Sequence, residues 1–426
     1  MKIGIQTWGS EGDINPFIAL AAELVKAGHD VKLAITSADR RDFSPFAQKY
    51  GFKIHSVDFI AESEEKLNEI GKRMIESPDH LKQLKFIFSE MFQPGVNKMY
   101  KISGELCAEN DLVIGHFIHH PLQAAAEKSG TPHITVALNH GALPTRYAPP
   151  VPLPDLGKTI NSIIWKISLR ILNKIILPFI NSLRENEGLT PAKSYREVWE
   201  SPLCNLIAVS PVLCEPKPDW GSNHHVCGFF KLKDDSLKWV WPEGLDSFLG
   251  HIMEPVYMTL GSMTGTANNS LLINETTRLL YDAAKIANVR AIIQSRWEHV
   301  TDIPEDKNIF RVNSSPYSRV FPKCAAIVHH GGAGTTQMAL MSGKPSLIIG
   351  HIQDQFLFGA ELVRLGVSPF VLNRNTVTPK KIGRGLREIL LHPAMTQKAF
   401  SAGKIMREED GTATAVRIID SLKILK

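Results

Sequence analysis

Cysteine is scarce in this sequence, and the few cysteines show no pairing pattern. Five occur among 426 residues, an odd number, and none falls in the C-x-x-C spacing of a metal site. Scattered thiols of this kind are typical of proteins kept reduced, so we predict no disulfide framework and no metal. The apolar strand that opens the chain leaves no room for a secretory signal peptide, which leads us to expect a cytoplasmic protein.

Strong charge of one sign is absent as well. The formal net charge is only +5 at pH 7, and no run of five or more basic residues occurs, so a nucleic-acid partner is not predicted. The sequence has no Asp-x-Asp element, which would hold a divalent cation on a nucleotide sugar. The first loop, Gly9 to Pro16, lacks the G-x-G-x-x-G spacing of a dinucleotide site, so no bound cofactor is expected.

Apolar segments alternate between the spacing of strands and that of helices in both halves of the chain. The first three, Ile3–Trp8, Ile14–Lys26 and Val31–Thr36, predict a strand, a helix and a strand, which begin a parallel, Rossmann-like sheet. Leu206–Ser210 is predicted as the last strand of this first domain, and Pro255–Leu260 as the first strand of a second. The chain is long enough for two such domains, each with its own core.

A change in composition marks the border between the two domains. Val226–Phe230 and the charged, tryptophan-rich stretch that continues to Glu243 are interpreted as a linker. We place the border near residue 235, with the linker beginning at about 228. The predicted domains are then 1–235 and 236–408, and a final helix follows in 409–426.

The segment His329–Thr336 follows a short apolar run and carries three glycines. A buried strand that ends in a glycine loop and then enters a helix leaves backbone N–H groups unpaired, and the helix dipole adds to their attraction for anions. Because Gly332 and Gly334 have no Cβ, a diphosphate can approach the backbone there. Thr335 and His330 add side-chain donors. The segment predicts a pyrophosphate site; the alternative is a tight turn whose glycines serve geometry alone.

Further polar side chains follow predicted strands of the second half. Asp354 and Gln355 come after the strand predicted at Ser346–Ile349, and their acceptors and donors suit the vicinal hydroxyls of a hexose. Trp297 follows the strand predicted at Arg290–Gln294 and can stack on a base or ribose. Ligands gather at the carboxyl ends of parallel strands, which favours both roles. A surface tryptophan without a ligand is the alternative for Trp297.

The first half has its own polar residues near strand ends. Asp13 lies where the first loop enters the helix, which is a natural N-cap position. His116, His119, His120 and His140 lie in predicted loops where an acceptor can bind. Each can line a pocket or assist a proton transfer, or can be a hydrogen-bonded structural histidine. Their spacing matches no common set of metal ligands.

Lys158–Arg184 predicts a long, mostly apolar helix. Lys166, Arg170 and Lys174 recur in it at intervals of four, and we expect Pro178 to interrupt the run. These features exclude a membrane span. The basic stripe is either the solvated face of a helix packed on the core or a surface for peripheral contact with anionic lipid headgroups.

His330, the glycines after it, Thr335 and the pair Asp354–Gln355 together resemble the donor-binding signature of the GT-B UDP-glycosyltransferases of glycosyltransferase family 1. Within that family the sequence is most similar to the branch of sterol glucosyltransferases and antibiotic-aglycone glycosyltransferases. The resemblance covers nearly the whole chain. It implies the GT-B fold, two Rossmann-like domains that face each other across a cleft, with the helix in 409–426 crossing back to the first domain.

The resemblance also implies roles for single residues on the acceptor side. Gly12–Pro16 is similar to the family's loop at the mouth of the acceptor pocket, which makes Asp13 the general base. Ser10 belongs to the same loop and is expected at the pocket, with the histidines His119, His120 and His140.

On the donor side, the resemblance makes His330 and the loop N–H groups the stabilisers of the leaving diphosphate. Ser262 corresponds to a Gly-Ser loop that faces the donor phosphates. Many relatives carry an aromatic residue two positions before Pro316 to stack on the nucleobase, but this chain has Ser314 there, and backbone groups near Ser315 are left to read the base.

Taken together, the motifs and the resemblance predict a metal-independent, inverting glycosyltransferase. The predicted donor is UDP-glucose, a co-substrate and not a cofactor, and the predicted acceptor is a sterol, lipid or natural-product aglycone. Transfer of a dTDP-deoxysugar such as a rhamnosyl group would use the same residues. Two other classes stay open: an epimerase that rearranges a nucleotide sugar, and a catalytically silent partner of an active transferase.

Overall fold

The structure is a computed structural model that describes residues 1–38, 41–57, 69, 73, 77, 79–232, 239–261 and 270–422. The described residues form two compact units. Unit 1 comprises those in 1–62, 79–232 and 409–426, and unit 2 those in 63–78 and 233–408. The border between the units therefore follows Leu232, close to the predicted residue 235.

Unit 1 is built on a parallel sheet of seven strands in the order β3-β2-β1-β4-β5-β6-β7. The central strands are apolar and buried on both faces, as expected for a parallel sheet covered by helices. The strands are β1 (Lys2–Gly9), β2 (Asp30–Ser37), β3 (Lys53–Ser56), β4 (Leu112–His116), β5 (His133–Ala137), β6 (Cys204–Ile207) and β7 (His224–Val226).

Eight described α-helices accompany this sheet in unit 1. They are α1 (Glu11–Lys26), α2 (Ser44–Tyr50), α3 (His80–Phe86), α4 (Val96–Glu109), α5 (His120–Ser129), α6 (Lys158–Asn186), α7 (Arg196–Trp199) and, from the end of the chain, α15 (Gly411–Ser421). A π-helical stretch (Ile87–Phe92) and a 3₁₀ turn (Gln93–Gly95) connect α3 to α4. No helix among the described residues of either unit combines the length and apolar content needed to cross a membrane.

Unit 2 has a parallel sheet of six strands in the order β10-β9-β8-β11-β12-β13. The strands are β8 (Val256–Met258), β9 (Ala291–Gln294), β10 (Ile309–Val312), β11 (Ala326–His329), β12 (Ser346–Gly350) and β13 (Val371–Asn373). The helices described in this unit are α8 (Leu245–Leu249), α9 (Ser270–Ala287), α10 (Tyr317–Val320), α11 (Ala333–Met341), α12 (Gln353–Arg364), α13 (Pro379–Leu391) and α14 (Pro393–Glu408). The predicted pair of Rossmann-like α/β domains is confirmed.

Part of the predicted linker belongs to the core of unit 1. His224–Val226 pairs in parallel with β6 as the last strand of the sheet, so the prediction that Leu206–Ser210 is the last strand of the first domain was wrong. Cys227, Phe230 and Leu232 are buried in the main hydrophobic cluster of the unit. A strand of three half-buried residues has no alternation long enough to be recognised in the sequence.

Helix α6 does not end at its proline. It runs from Lys158 to Asn186 with Pro178 inside it, contrary to the predicted interruption. Proline removes one backbone hydrogen bond from a helix, but packing can offset this loss. Here Ile176, Ile180 and Leu183 are buried on both sides of Pro178 in sequence and hold the helix against the unit.

The last helix, α15, belongs to unit 1. Ala415, Val416 and Ile419 are buried in the same cluster as the residues of the first sheet. At its end, His29 Nε2 lies 3.0 Å from the Asp420 carboxylate. The chain thus returns to its first unit after completing the second.

Candidate active site

The strand order of each sheet reverses next to its first strand, between β1 and β4 in unit 1 and between β8 and β11 in unit 2. Such switch points leave a crevice at the carboxyl ends of the two strands, where ligands bind in open α/β sheets. Asp13 follows β1, and His119 follows β4. Gly261 follows β8, and His330 follows β11. The two residues predicted to be catalytic, Asp13 and His330, therefore each lie at the switch point of their own unit.

Asp13 lies in the first turn of α1 and is held by Ser10. The helix begins at Glu11, so Ser10 is its N-cap and Asp13 its third residue, not the N-cap as predicted. The backbone N–H and the hydroxyl of Ser10 both donate to Asp13 Oδ2 at 2.9 Å. A Cβ on Gly9 would lie 2.4 Å from the same oxygen, so only glycine leaves room for this arrangement. One carboxylate oxygen is thus fixed at the end of β1.

The rings of His119 and His120 are almost fully buried, being 2% and 1% exposed. His119 is the N-cap of α5, and its Nδ1 accepts a hydrogen bond from the Leu122 N–H at 3.3 Å. Neither ring nitrogen of His120 has a hydrogen-bond partner among the described residues, and its ring centroid lies 5.0 Å from that of Phe92. Burial lowers the pKa of His120 to about 3 and that of His119 well below its usual value. Both rings are therefore neutral at pH 7, and their contact with an acceptor stays a prediction.

A small pocket lies against β5 and β6 in unit 1, and the half-buried His140 follows Asn139, which lines it. Its enclosed volume is about 10 Å³, room for about one water molecule. Most of the lining is apolar or aromatic. The residues that line it include Phe117, Ala142, Leu143, Tyr195 and Trp199, with Thr135 and Asn205 among the polar ones.

The glycine loop after β11 leads directly into α11, which begins at Ala333. No side chain among the described residues caps this helix. The N–H groups of its first turn therefore remain available to an anion, and they belong to half-buried residues that include Gly334 and Thr335. The loop itself is fixed by His329, whose Nδ1 accepts from the Gly331 N–H at 3.1 Å.

The imidazole of His330 lies between two glycines. A Cβ on Gly261 would be 2.4 Å from Cε1 of the ring, and a Cβ on Gly332 would be 2.4 Å from Nε2. Nδ1 is buried and has no hydrogen-bond partner among the described residues. Burial lowers the pKa of His330 to about 4, so at pH 7 the ring is neutral and can donate one hydrogen bond.

Asp354 and Gln355 lie at the carboxyl end of β12, in the first turn of α12. The helix begins at Gln353. Gln355 is 2% exposed, and its Oε1 accepts from the backbone N–H groups of His351, at 2.7 Å, and Ile352, at 3.3 Å. That oxygen therefore satisfies two backbone N–H groups at the start of α12, whereas Asp354 is half-buried. Binding of a sugar by this pair stays a prediction.

The other donor-side residues have structural partners. Trp297 donates its indole N–H to the Ile293 carbonyl at 3.0 Å, and the Arg311 guanidinium lies 4.5 Å from its ring centroid. The Ser315 hydroxyl lies 2.7 Å from the Tyr257 hydroxyl. These contacts account for both side chains without a ligand. Their predicted contact with the nucleotide stays a prediction.

Sequence analysis missed an indole that lies beside Ser314. Trp239 donates its N–H to the Ser314 carbonyl at 2.8 Å, so an aromatic ring occurs next to the position where many relatives have one. The sequence feature that contains this indole is the tryptophan-rich stretch before Glu243, which was interpreted only as a linker. Ser262, predicted to contact phosphate, lies outside the described residues. Among those described, no three His, Cys, Asp or Glu side chains come together as a metal site would require.

Solved structures with the same architecture identify the fold. The glycotransferase of kitacinnamycin is 19% identical and superposes with a TM-score of 0.69, covering 98% of each chain. The glycosyltransferase VinC, solved with dTDP, is 18% identical with a TM-score of 0.64 and 99% of each chain covered. The chain therefore has the GT-B fold.

Family models and a relative identify the class of enzyme. Residues 3–136 match the N-terminal domain of glycosyltransferase family 28, and residues 278–420 match the C-terminal domain of proteins like erythromycin biosynthesis protein CIII. A sterol 3-beta-glucosyltransferase of Aspergillus clavatus is 26% identical over 98% of this chain. This chain spans only 29% of the length of that relative. The chain is therefore similar over nearly its whole length to the branch of sterol and antibiotic glycosyltransferases, the same branch that the signature residues resemble.

Proposed function

We propose that this chain transfers a hexose, most simply glucose from UDP-glucose, to a hydroxyl of a lipophilic acceptor, with inversion and without a metal. The observation that carries the proposal is the loop after β11. An uncapped helix N-terminus and the neutral imidazole of His330 lie together there at the switch point of unit 2, which suits the diphosphate of a nucleotide sugar. The similarity to a sterol 3-beta-glucosyltransferase supports glucose as the sugar and a lipophilic acceptor.

The leaving diphosphate gains negative charge as the glycosidic bond breaks. Donors that are already held in place stabilise this charge more in the transition state than in the ground state. His330 is fixed between two glycines and can donate one hydrogen bond, and the first-turn N–H groups of α11 can donate more. Asp354 and Gln355 are proposed to hold the sugar hydroxyls.

On the acceptor side, the hydroxyl oxygen attacks the anomeric carbon from the face opposite the diphosphate, which inverts the configuration. Asp13 takes the hydroxyl proton as the new bond forms. Its carboxylate is oriented for this task because Ser10 holds one oxygen.

The donor site is tested first by calorimetric titration with UDP, dTDP and GDP in the absence of added metal. We expect UDP to bind, and His330→Ala to weaken its binding at least about tenfold, because a charge-assisted hydrogen bond contributes about 1.5–3 kcal/mol. His392→Ala is the control. This exposed histidine directly follows α13, and its removal should leave the affinity for UDP unchanged. If none of the three nucleotides bound, the diphosphate site would be refuted and a silent partner would become the better description.

The base is tested with Asp13→Asn. An amide oxygen can still accept the hydrogen bonds from Ser10, so the helix start is kept while the basic group is lost. We expect the transfer rate to fall by about 10²–10⁴-fold with little change in UDP affinity. Ser10→Ala is the matched control, because it loses one capping hydrogen bond and keeps Asp13. It should lower the free energy of unfolding by about 1 kcal/mol and reduce the transfer rate far less than Asp13→Asn does. Full activity of Asp13→Asn with saturating acceptor would remove Asp13 from the mechanism.

A dTDP-sugar is the second candidate donor. The observation in its favour is the solved VinC complex, which holds dTDP in the same fold. The two candidates differ in the base, and the titration distinguishes them directly: tighter binding of dTDP than of UDP would favour a dTDP-deoxysugar.

A further inference from the structure

Helix α6 carries apolar residues on its outer face as well as its inner face. Inside, Trp165, Ile176 and Ile180 are almost fully buried against unit 1. Outside, four isoleucines are 41–52% exposed: Ile160, Ile163, Ile167 and Ile171. A continuous apolar stripe exposed on a helix marks a surface that is normally covered by another apolar surface.

The four isoleucines form one continuous stripe, which we call the isoleucine stripe. Residues spaced by three or four positions share a face of a helix, and the spacings here are three, four and four. At 1.5 Å per residue, the stripe is about 17 Å long. Two leucines of the preceding loop, Leu153 and Leu156, are 47% and 54% exposed and continue the apolar surface beyond the start of the helix.

Basic residues accompany the isoleucine stripe, and acidic residues are missing from it. Lys166, Arg170 and Lys174 are exposed on the same helix. From Leu156 to Arg184 the sequence contains no aspartate or glutamate, and one exposed acidic residue, Asp155, lies between the two leucines of the loop. The neighbouring helix α3, which packs against α6, also has no acidic residue, and its exposed residues are Leu81, Lys82 and Lys85. The surface is therefore apolar and positively charged at once.

We propose that this face of unit 1 docks on the surface of an anionic lipid bilayer, with the isoleucine stripe inserted among the acyl chains and the basic residues among the headgroups. Apolar side chains beside lysine and arginine are the composition that binds at such an interface. Each basic side chain near an anionic surface adds to the attraction. The inference rests on the exposed face of α6 and does not depend on the identity of the sugar donor.

A second copy of the chain fits this face less well. A symmetric pair would place the same patch against itself, so the basic residues that flank both stripes would approach one another. Like charges brought together without acidic partners oppose association. An anionic membrane instead supplies the opposite charge and the apolar phase together.

The experiment is co-sedimentation of the full chain with vesicles of phosphatidylcholine, alone or with about one third phosphatidylglycerol, at low and at physiological salt. We expect binding to the anionic vesicles that weakens as salt increases. The double variant Ile163→Ser/Ile167→Ser should bind them at least about tenfold more weakly, because two exposed isoleucines no longer enter the lipid. Lys166→Gln/Arg170→Gln/Lys174→Gln should lose the preference for anionic over neutral vesicles.

The matched control is Ile252→Ser/Ile405→Ser, which removes two exposed isoleucines from unit 2. It should bind vesicles like the parent. UDP titration of every variant separates this proposal from the proposed function, since all of them should bind UDP like the parent. The membrane proposal is overturned if the parent does not bind anionic vesicles at low salt, or if Ile163→Ser/Ile167→Ser binds them equally. A parent dimer that this variant converts to a monomer, without vesicle binding, would show that a second copy covers the stripe.

Discussion

At the scale of single residues, the arrangement around His330 depends on two glycines, which have no side chain. Gly261 and Gly332 come from different segments of unit 2, and a Cβ on either would overlap the imidazole. The ring therefore has little freedom to turn, and its burial keeps it neutral. A donor held in this way loses little entropy when an anion binds, which is the physical reason to expect tight binding of a diphosphate.

This arrangement predicts the effect of Gly261→Ala. Gly261 has φ +73, and its Cβ would lie 2.4 Å from Cε1 of His330, so the ring must move. We expect UDP affinity to fall at least about tenfold, as the hydrogen bond of the ring is lost. Calorimetric titration measures this change.

Gly130→Ala is the control for backbone strain alone. Gly130 has a similar φ of +71, but a Cβ there would meet nothing within 4 Å. Both variants should lose stability to a similar extent, about 1 kcal/mol, and only Gly261→Ala should lose UDP affinity. Unchanged affinity in Gly261→Ala would show that the position of the ring does not matter for nucleotide binding.

At the scale of elements, the closing helix α15 shows how close backbone contact joins the end of the chain to unit 1. The first residue of the helix, Gly411, faces Gly228, and a Cβ on Gly411 would lie 2.5 Å from the Gly228 carbonyl carbon. The helix then buries Ala415, Val416 and Ile419 in the core of that unit. The approach of two glycines thus sets where the helix begins to pack.

Gly411→Ala is therefore expected to destabilise unit 1. The added methyl group meets backbone and not a flexible side chain, so the helix must shift and its buried residues lose packing. We expect a loss of about 1–3 kcal/mol in the free energy of unfolding, measured in urea. Gly104→Ala, within α4, is the control: a Cβ there meets nothing within 4 Å, and alanine should stabilise the helix by up to about 1 kcal/mol. A stable Gly411→Ala variant would contradict the close contact.

Apolar sequence patterns did not reveal where two helices of unit 2 begin. The helices after β11 and β12 begin at Ala333 and Gln353, three to four residues before the periodic apolar pattern becomes visible. Their first turns contain mostly polar and glycine residues, of which Gly334, Thr335 and Asp354 are half-buried. The period of 3.6 is a property of the buried face, so it cannot reveal a turn that has none.

At the scale of the whole molecule, buried histidines predict how stability depends on pH. Burial lowers the pKa of His116 and His120 to about 3 and that of His133 and His330 to about 4. An unfolded histidine has a pKa near 6.5, so below that pH the unfolded chain takes up protons that the folded chain does not. The free energy of unfolding that these neutral histidines contribute above pH 6.5 is therefore lost as the pH falls towards their folded-state pKa values of about 4 and 3.

We expect the free energy of unfolding to fall by several kcal/mol between pH 7 and pH 5, since each such histidine contributes up to about 1.4 kcal/mol per pH unit. Urea unfolding at a series of pH values measures the slope. His120→Leu removes one of these groups. It should therefore reduce the number of protons taken up on unfolding by about one, at the pH where the free energy of unfolding changes most steeply. An unchanged slope in this variant would show that His120 does not resist protonation in the folded state.

The sequence by itself determined the two α/β domains, the glycine loop that enters α11 and the similarity to GT-B glycosyltransferases. Buried parallel strands are continuous apolar runs, and a glycine loop that enters a helix needs particular residues at adjacent positions, so both are written locally in the chain. The order of the strands and the strand His224–Val226 came only from the structure. Tertiary structure also decided that His119 and His120 are buried, and that the outer face of α6 exposes isoleucines. These features depend on which distant segments cover a residue, and no local pattern in a sequence records that.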